Sequence, residues 1–256
     1  MALLRSCLAG ALLLVVGACS NDDEDFSEQY KISELNASYG AFAHEERLRV
    51  YAALLGPKGF VRLRGGDTIE IEIDGVRVST TERMLDGRVN YVADVPAPPG
   101  ESEVAITFVR GVERVVGKIK LYSAFNVVAP PATLPRTGSV DIDVDPRPDL
   151  SKWPGFFGPS LVAKAEVLGD CLETGAQRID LCAKDSPAGK CTQGYPLKLD
   201  AATLIPSTTK GCQLAVQVRL MSGAKPFEGT GPAKESFKGG GFEGYRLRSF
   251  TTQLLE

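Results

Sequence analysis

The side chains here that could do chemistry fall into a few groups. Cys171, Cys182, Cys191 and Cys212 form an even set confined to one region of the 256-residue chain. In an exported protein such a set reads as two disulfides. Zinc is the rival use, but no C-x-x-C pair occurs and the one histidine, His44, lies far upstream. Asp141, Asp143 and Asp145 alternate with Ile142 and Val144. On a strand they would share one face, which makes them candidate oxygen ligands for calcium. The plain alternative is the solvent face of a half-buried strand. His44, in Ala43-His44-Glu45-Glu46, reads as a surface residue beside carboxylates and not as a catalytic base.

No nucleophile elbow, zinc-protease helix, P-loop or dinucleotide fingerprint is present. The expectation is therefore a protein without catalytic residues and without a cofactor. An envelope hydrolase acting on glycan or peptide stays open, because Ser–Lys or paired-carboxylate sites are not local in sequence. Two aromatic-rich loops are candidate binding surfaces. The Gly223–Gly244 stretch carries Phe227, Phe237 and Phe242 among many glycines, and Trp153 stands with Phe156 and Phe157 among prolines and glycines. Exposed aromatics suit a protein partner or a sugar ring, and loops often bind. The alternatives are a hairpin extension whose rings pack back onto the domain, and an aromatic cap on the end of a sandwich.

The elements that must position these groups are strands. Leu48, Val50, Ala52 and Leu54 alternate with Arg47, Arg49 and Tyr51, and Ile69, Ile71 and Ile73 with Glu70 and Glu72. Asp74-Gly75 predicts a two-residue hairpin that pairs Ile73 with Val76 and sets Glu72 opposite Arg77. Asp86-Gly87 repeats the device and places Met84 across from Val89. Val104, Ile106 and Phe108 follow, then Val115, Ile119 and Leu121. No stretch has a 3.6-residue period. Residues 31–123 thus read as a first antiparallel β-sandwich. Pro130, Pro131 and Pro135 mark 124–138 as a semi-rigid linker. Residues 139–256 repeat the strand pattern as a second sandwich, in which Tyr245, Leu247 and Ser249 form the closing strand. A hydrophobic content of 43% with 24% charged residues fits globular domains, and a net charge of −3 gives no case for nucleic acid.

The first residues are of another kind. Arg5 precedes a short apolar run, Leu8 to Val16, which ends in Gly17-Ala18-Cys19. The run is too short to span a bilayer, which takes ~20 apolar residues, and it reads as a secretory signal over residues 1–18. Val16-Gly17-Ala18-Cys19 resembles a bacterial lipobox, which implies that the Cys19 thiol takes a diacylglyceryl group and becomes the first mature residue. Multiple acyl chains anchor a protein stably. Ser20 after the cysteine, by the same resemblance, implies sorting to the outer membrane of a Gram-negative cell, facing periplasm or surface. Residues 19–30 then form an acidic tether containing Asp22-Asp23-Glu24-Asp25.

Leu121-Tyr-Ser-Ala-Phe125, Pro130-Pro131 and Thr137-Gly-Ser-Val-Asp-Ile-Asp-Val144 resemble the junction in uncharacterised bacterial lipoproteins with immunoglobulin-like domains. Val218-Arg-Leu220, the glycine-rich loop and Arg246-Leu-Arg-Ser-Phe250 are similar to their closing stretch. The resemblance implies fold and location and carries no activity. The expected protein is all-β, with two immunoglobulin-like sandwiches in tandem behind a lipidated tether. Its expected role is binding or structural, or that of a carbohydrate-binding surface module. Its expected partners are the membrane and an envelope protein or glycan. With strands assigned as A 139–145, B 160–168, C 177–183, E 192–200, F 212–220 and G 244–253, immunoglobulin-like order predicts disulfides Cys171–Cys191 and Cys182–Cys212. Cys182–Cys191, a tight local loop that requires no fold, is the rival pairing. The same order puts the Gly223–Gly244 loop at the end of the domain that receives the linker.

Overall fold

The computed structural model describes residues 25–85, 87–149, 163–186, 192, 194–208, 210–222, 224 and 227–255. Cys19, Trp153 and Cys191, each singled out above, lie outside the described residues. Among the described residues every long element is a strand, and the helical turns are short 3-10 segments. The alternating pattern explains why: strands such as Thr68–Ile73, Ser102–Arg110 and Cys212–Ser222 bury one face and leave the other accessible.

The first ten strands are β1 (Asp25–Phe26), β2 (Asn36–His44), β3 (Arg47–Gly56), β4 (Gly59–Arg62), β5 (Thr68–Ile73), β6 (Val76–Val78), β7 (Thr81–Leu85), β8 (Arg88–Pro96), β9 (Ser102–Arg110) and β10 (Glu113–Leu121). One layer is built on β3, which pairs with β2 on one side and with β4 and β8 on the other. The other layer runs β10-β9-β5-β6. Between them Leu48, Val50 and Leu54 meet Ile71, Val104, Ile106 and Phe108, all fully buried. Each such side chain contributes about 1.5–3 kcal/mol through burial. The Asp74-Gly75 hairpin has the predicted register, Ile73↔Val76 and Glu72↔Arg77. Positive φ at both turn residues is what a type I′ turn requires. Arg77 bonds diagonally to Glu70 at 2.9 Å instead of pairing with the Glu72 opposite it.

The expected tether is shorter than residues 19–30. Asp25 and Phe26 pair in parallel with Val61 and Arg62 of β4, and Ser27 is buried. Arg110 clamps this segment. It holds the buried Asp67 carboxylate and donates to the Ser27 and Tyr30 carbonyls, each at 2.7 Å.

The second set is β11 (Asn126–Val128), β12 (Thr133–Leu134), β13 (Ser139–Asp145), β14 (Ala163–Leu168), β15 (Ala176–Asp180), β16 (Cys182–Ala183), β17 (Leu197–Asp200), β18 (Cys212–Ser222), β19 (Glu228–Thr230) and β20 (Gly239–Leu254). The layers are β11-β13-β17-β16 and β20-β18-β14-β15. This is the immunoglobulin arrangement, A-B-E-D over G-F-C-C′. Two expectations change. The proline-rich stretch 124–138 is not a free linker: it supplies β11 and β12, and Phe125 and Leu134 are buried in the second core. Its strands are too short and too proline-interrupted to alternate visibly. Because strand A lies there, the strand assigned as A is B, the strand assigned as B is C, and the segment assigned as C splits into C′ (β15) and D (β16). The partner of C in its sheet is F.

That shift corrects the disulfides. β14 pairs antiparallel with β18, and three residues beyond the pair Leu168↔Ala215 the register meets Cys171 and Cys212. These two form the disulfide, with Cα atoms 6.2 Å apart, so neither Cys171–Cys191 nor Cys182–Cys212 forms. Cys182, at the start of β16, is also disulfide-bonded.

β20 also revises the domain boundary. Its second half, Gly244 to Leu254, pairs antiparallel with β18 in the second sandwich. Its first half, Gly239 to Leu247, pairs in parallel with all of β2 in the first. β19 joins the edge of the first sandwich beside β10. One strand therefore belongs to both units, and residues 227–247 build the first sandwich although they were expected in the second.

Candidate functional site

The aromatic loop proposed for binding is an interior element. Phe237 and Phe242 are each 8% exposed, and Phe227 packs half-buried on the same core. All three rings stand edge-on to Tyr39, with centroids 5.1 to 6.2 Å away. Phe237 also meets Phe108 at 5.7 Å. Such edge-to-face contacts are worth about 0.5–1.5 kcal/mol each beyond burial. Gly117 of β10 makes room for them: a Cβ there would stand 2.8 Å from the Phe227 ring. The three phenylalanines close the first core and are not offered to a ligand. Of the two readings of this loop, packed rings and not a binding surface is the one the structure has, but the rings pack on the first sandwich and not on the second, a partner about 200 residues upstream of them.

The three aspartates do share the outward face of β13. Two of them are already engaged. Asp141 accepts from Lys184 Nζ at 2.5 Å, and Asp143 accepts from Arg147 Nε and Nη2 at 2.9 and 2.5 Å. The Arg147 hydrogen bond holds the Asp143 carboxyl below the usual carboxylate range. Among the described residues no group of three or more His, Cys, Asp or Glu is placed to hold a metal. His44 ends β2 with half its side chain exposed, 3.8 Å from Glu45.

The unusual chemistry lies where β20 passes from one sandwich to the other. Tyr245, Leu247 and Ser249 lie in the closing strand, as expected. The strand turns even positions inward: Phe242, Gly244 and Arg246 are buried, then Thr252 and Leu254. Leu247 is buried as well, and Ser249 is exposed. Arg246 is 3% exposed. Its Nε donates to the Tyr122 carbonyl, and its Nη2 donates to the carbonyls of Pro98 and, at 3.0 Å, Gly100. Two residues on, Arg248 Nε donates to the Phe125 carbonyl at 2.7 Å. Loss of water around Arg246, reinforced by the nearby Arg248 charge, pushes its pKa down to about 10, so it stays charged at neutral pH. Two cations on one strand thus pin the chain between β8 and β9 and the exit of β10. An inward arginine breaks the alternation rule, and for that reason the pattern gave no warning of it.

No family model and no curated protein matches this chain. Among solved structures it is similar to a chimeric titin Z1Z2 carrying an exogenous decorin peptide. The identity is 12%, over 88% of this chain and 98% of that one, and the TM-score is 0.26. A likeness that slight adds nothing to the strand order described above.

Proposed function

We propose that this chain is an exported cell-envelope lipoprotein, anchored by lipid on Cys19 in the outer membrane of a Gram-negative bacterium, with a structural or binding role. The lipobox-like start and the use of cysteine in disulfides both support export to an oxidising compartment. The observation that carries the structural side of the reading is the shared strand β20, which joins the two sandwiches in one continuous sheet. Asp25, already in β1, follows Cys19 by six residues, so the tether reaches at most roughly 20 Å even when extended. Such a short link holds the β1–β4 edge close to the bilayer. A role as a carbohydrate module loses the support of Phe227, Phe237 and Phe242, which pack inward.

The test is mass spectrometry of the mature N-terminus together with fractionation of a Cys19→Ala variant. The expected result is an acylated Cys19 and release of the variant from membranes. A correctly cut, membrane-free protein with an unmodified Cys19 overturns the proposal.

A further inference from the structure

The strand β7 is a sheet edge. Among the described residues its one neighbour is β8, so its far flank pairs with no strand. All five of its residues are exposed. We propose that β7 is a docking edge for another protein, which adds an extended strand whose acidic residues alternate with apolar ones.

The backbone sets the first requirement. Every second residue of an edge strand turns its N–H and C=O away from its neighbour, and an added strand satisfies them. Only an extended polypeptide offers that ladder. Side chains set the second requirement. In the register with β8, Met84 lies opposite Val89 and Glu82 opposite Tyr91, and both β8 residues are buried in the first core. Met84 therefore stands on the core side of the sheet, yet it is 58% exposed. An apolar residue of an added strand would cover it. Glu82, beside it, is already held by Arg62 at 3.0 Å.

Charge sets the third requirement. The outward face of β3, β8 and β7 carries Arg47, Arg49, Arg83 and Arg88 against one carboxylate, Asp94. Arg49 at 2.7 Å and Arg83 at 3.1 Å share that carboxylate, and both arginine side chains stay exposed. The strip is therefore net positive. Acidic side chains on the outward face of an added strand complement it, and basic ones are repelled. The same charges disfavour a second copy of this chain. An antiparallel register that used all five residues would set Arg83 opposite Arg83, like charge against like. The edge gives the binding role a location, and it stands or falls independently of lipid attachment at Cys19.

The experiment is titration of the full chain in detergent with short synthetic peptides that alternate Glu with Val, Lys with Val, or Glu with Pro. Binding is read by fluorescence anisotropy and by hydrogen exchange of backbone amides. The Glu–Val peptide should bind at least about tenfold tighter than the Lys–Val peptide, and amides within Thr81–Leu85 should gain protection. The Glu–Pro peptide keeps the charge but loses every second N–H, and it should bind at least about tenfold more weakly than Glu–Val. Arg83→Gln should narrow the preference for Glu–Val over Lys–Val, and Arg83→Glu should narrow it further or invert it. Arg83 is exposed, so neither variant strips the core. No saturable binding of Glu–Val, equal binding of all three peptides, or protection confined to strands other than β7 overturns the site. Self-association in sedimentation equilibrium that itself protects the β7 amides assigns the edge to a second copy and overturns the acidic partner.

Discussion

Tyr39 stands among three phenylalanines with its hydroxyl buried and without a hydrogen-bond partner among the described residues. Burial makes its phenolate costly and pushes its pKa far up. Tyr91, whose hydroxyl accepts from the Leu63 amide, is pushed up to about 12, chiefly by burial. For an acid with a raised folded pKa the stabilisation is complete below the unfolded value, about 10 for tyrosine. It is lost as pH climbs toward the folded one. Alkaline titration should therefore show phenolate absorbance of these residues rising together with cooperative unfolding above about pH 10. Gradual ionisation of a folded protein would contradict the buried assignment. Truncating a neighbouring ring tests the same cluster from the apolar side. Phe237→Ala should cost about 3–5 kcal/mol in denaturant unfolding, whereas Val112→Ala, at a turn where Val112 is 73% exposed, should stay within about 0.5 kcal/mol.

At the scale of elements, what could be read in advance was local. The Asp74-Gly75 hairpin follows from two residues that tolerate positive φ, and Leu48, Val50 and Ala52 announce a buried face by alternating with Arg49 and Tyr51. The same rules fail where the signal is a neighbour distant in sequence. Gly239-Gly240-Gly241 looks like a loop because it carries no side chains to alternate, yet it starts the longest strand described. Gly240 shows the reason. It has φ 136°, and a Cβ there would lie 1.9 Å from the Ala37 carbonyl oxygen of its partner strand β2. The bare backbone is what lets β20 approach β2. Gly240→Ala should therefore destabilise the protein by roughly 1–3 kcal/mol, measured by thermal or urea unfolding, and an unchanged midpoint would argue against this close pairing. The candidate site was illegible for a related reason: Arg246 and Arg248 acquire meaning only from carbonyls at Pro98, Gly100, Tyr122 and Phe125, more than 100 residues away.

At the scale of the whole molecule, two cores hang on one strand. β2 pairs along its whole length with a segment some 200 residues later, and Phe237 and Phe242 complete a core whose other members mostly lie before residue 122. A fragment comprising residues 25–123 should therefore fail to fold, although its strand pattern looks complete. Dispersed amide resonances or a cooperative melt from that fragment would overturn this expectation. The intact chain should melt in one transition, because the loss of β20 from either sandwich strips an edge from the other.

The shared strand also carries a consequence for biogenesis. A polypeptide leaves the ribosome, or threads through a secretion channel, amino end first. Here β2 must wait for β20, some 200 residues later in the chain, before its sheet can close. During that interval Tyr39, Phe108 and the bare flank of β2 face solvent, where unpaired strands tend to aggregate. A chain in that state depends on holding factors until β20 is available to pair with β2.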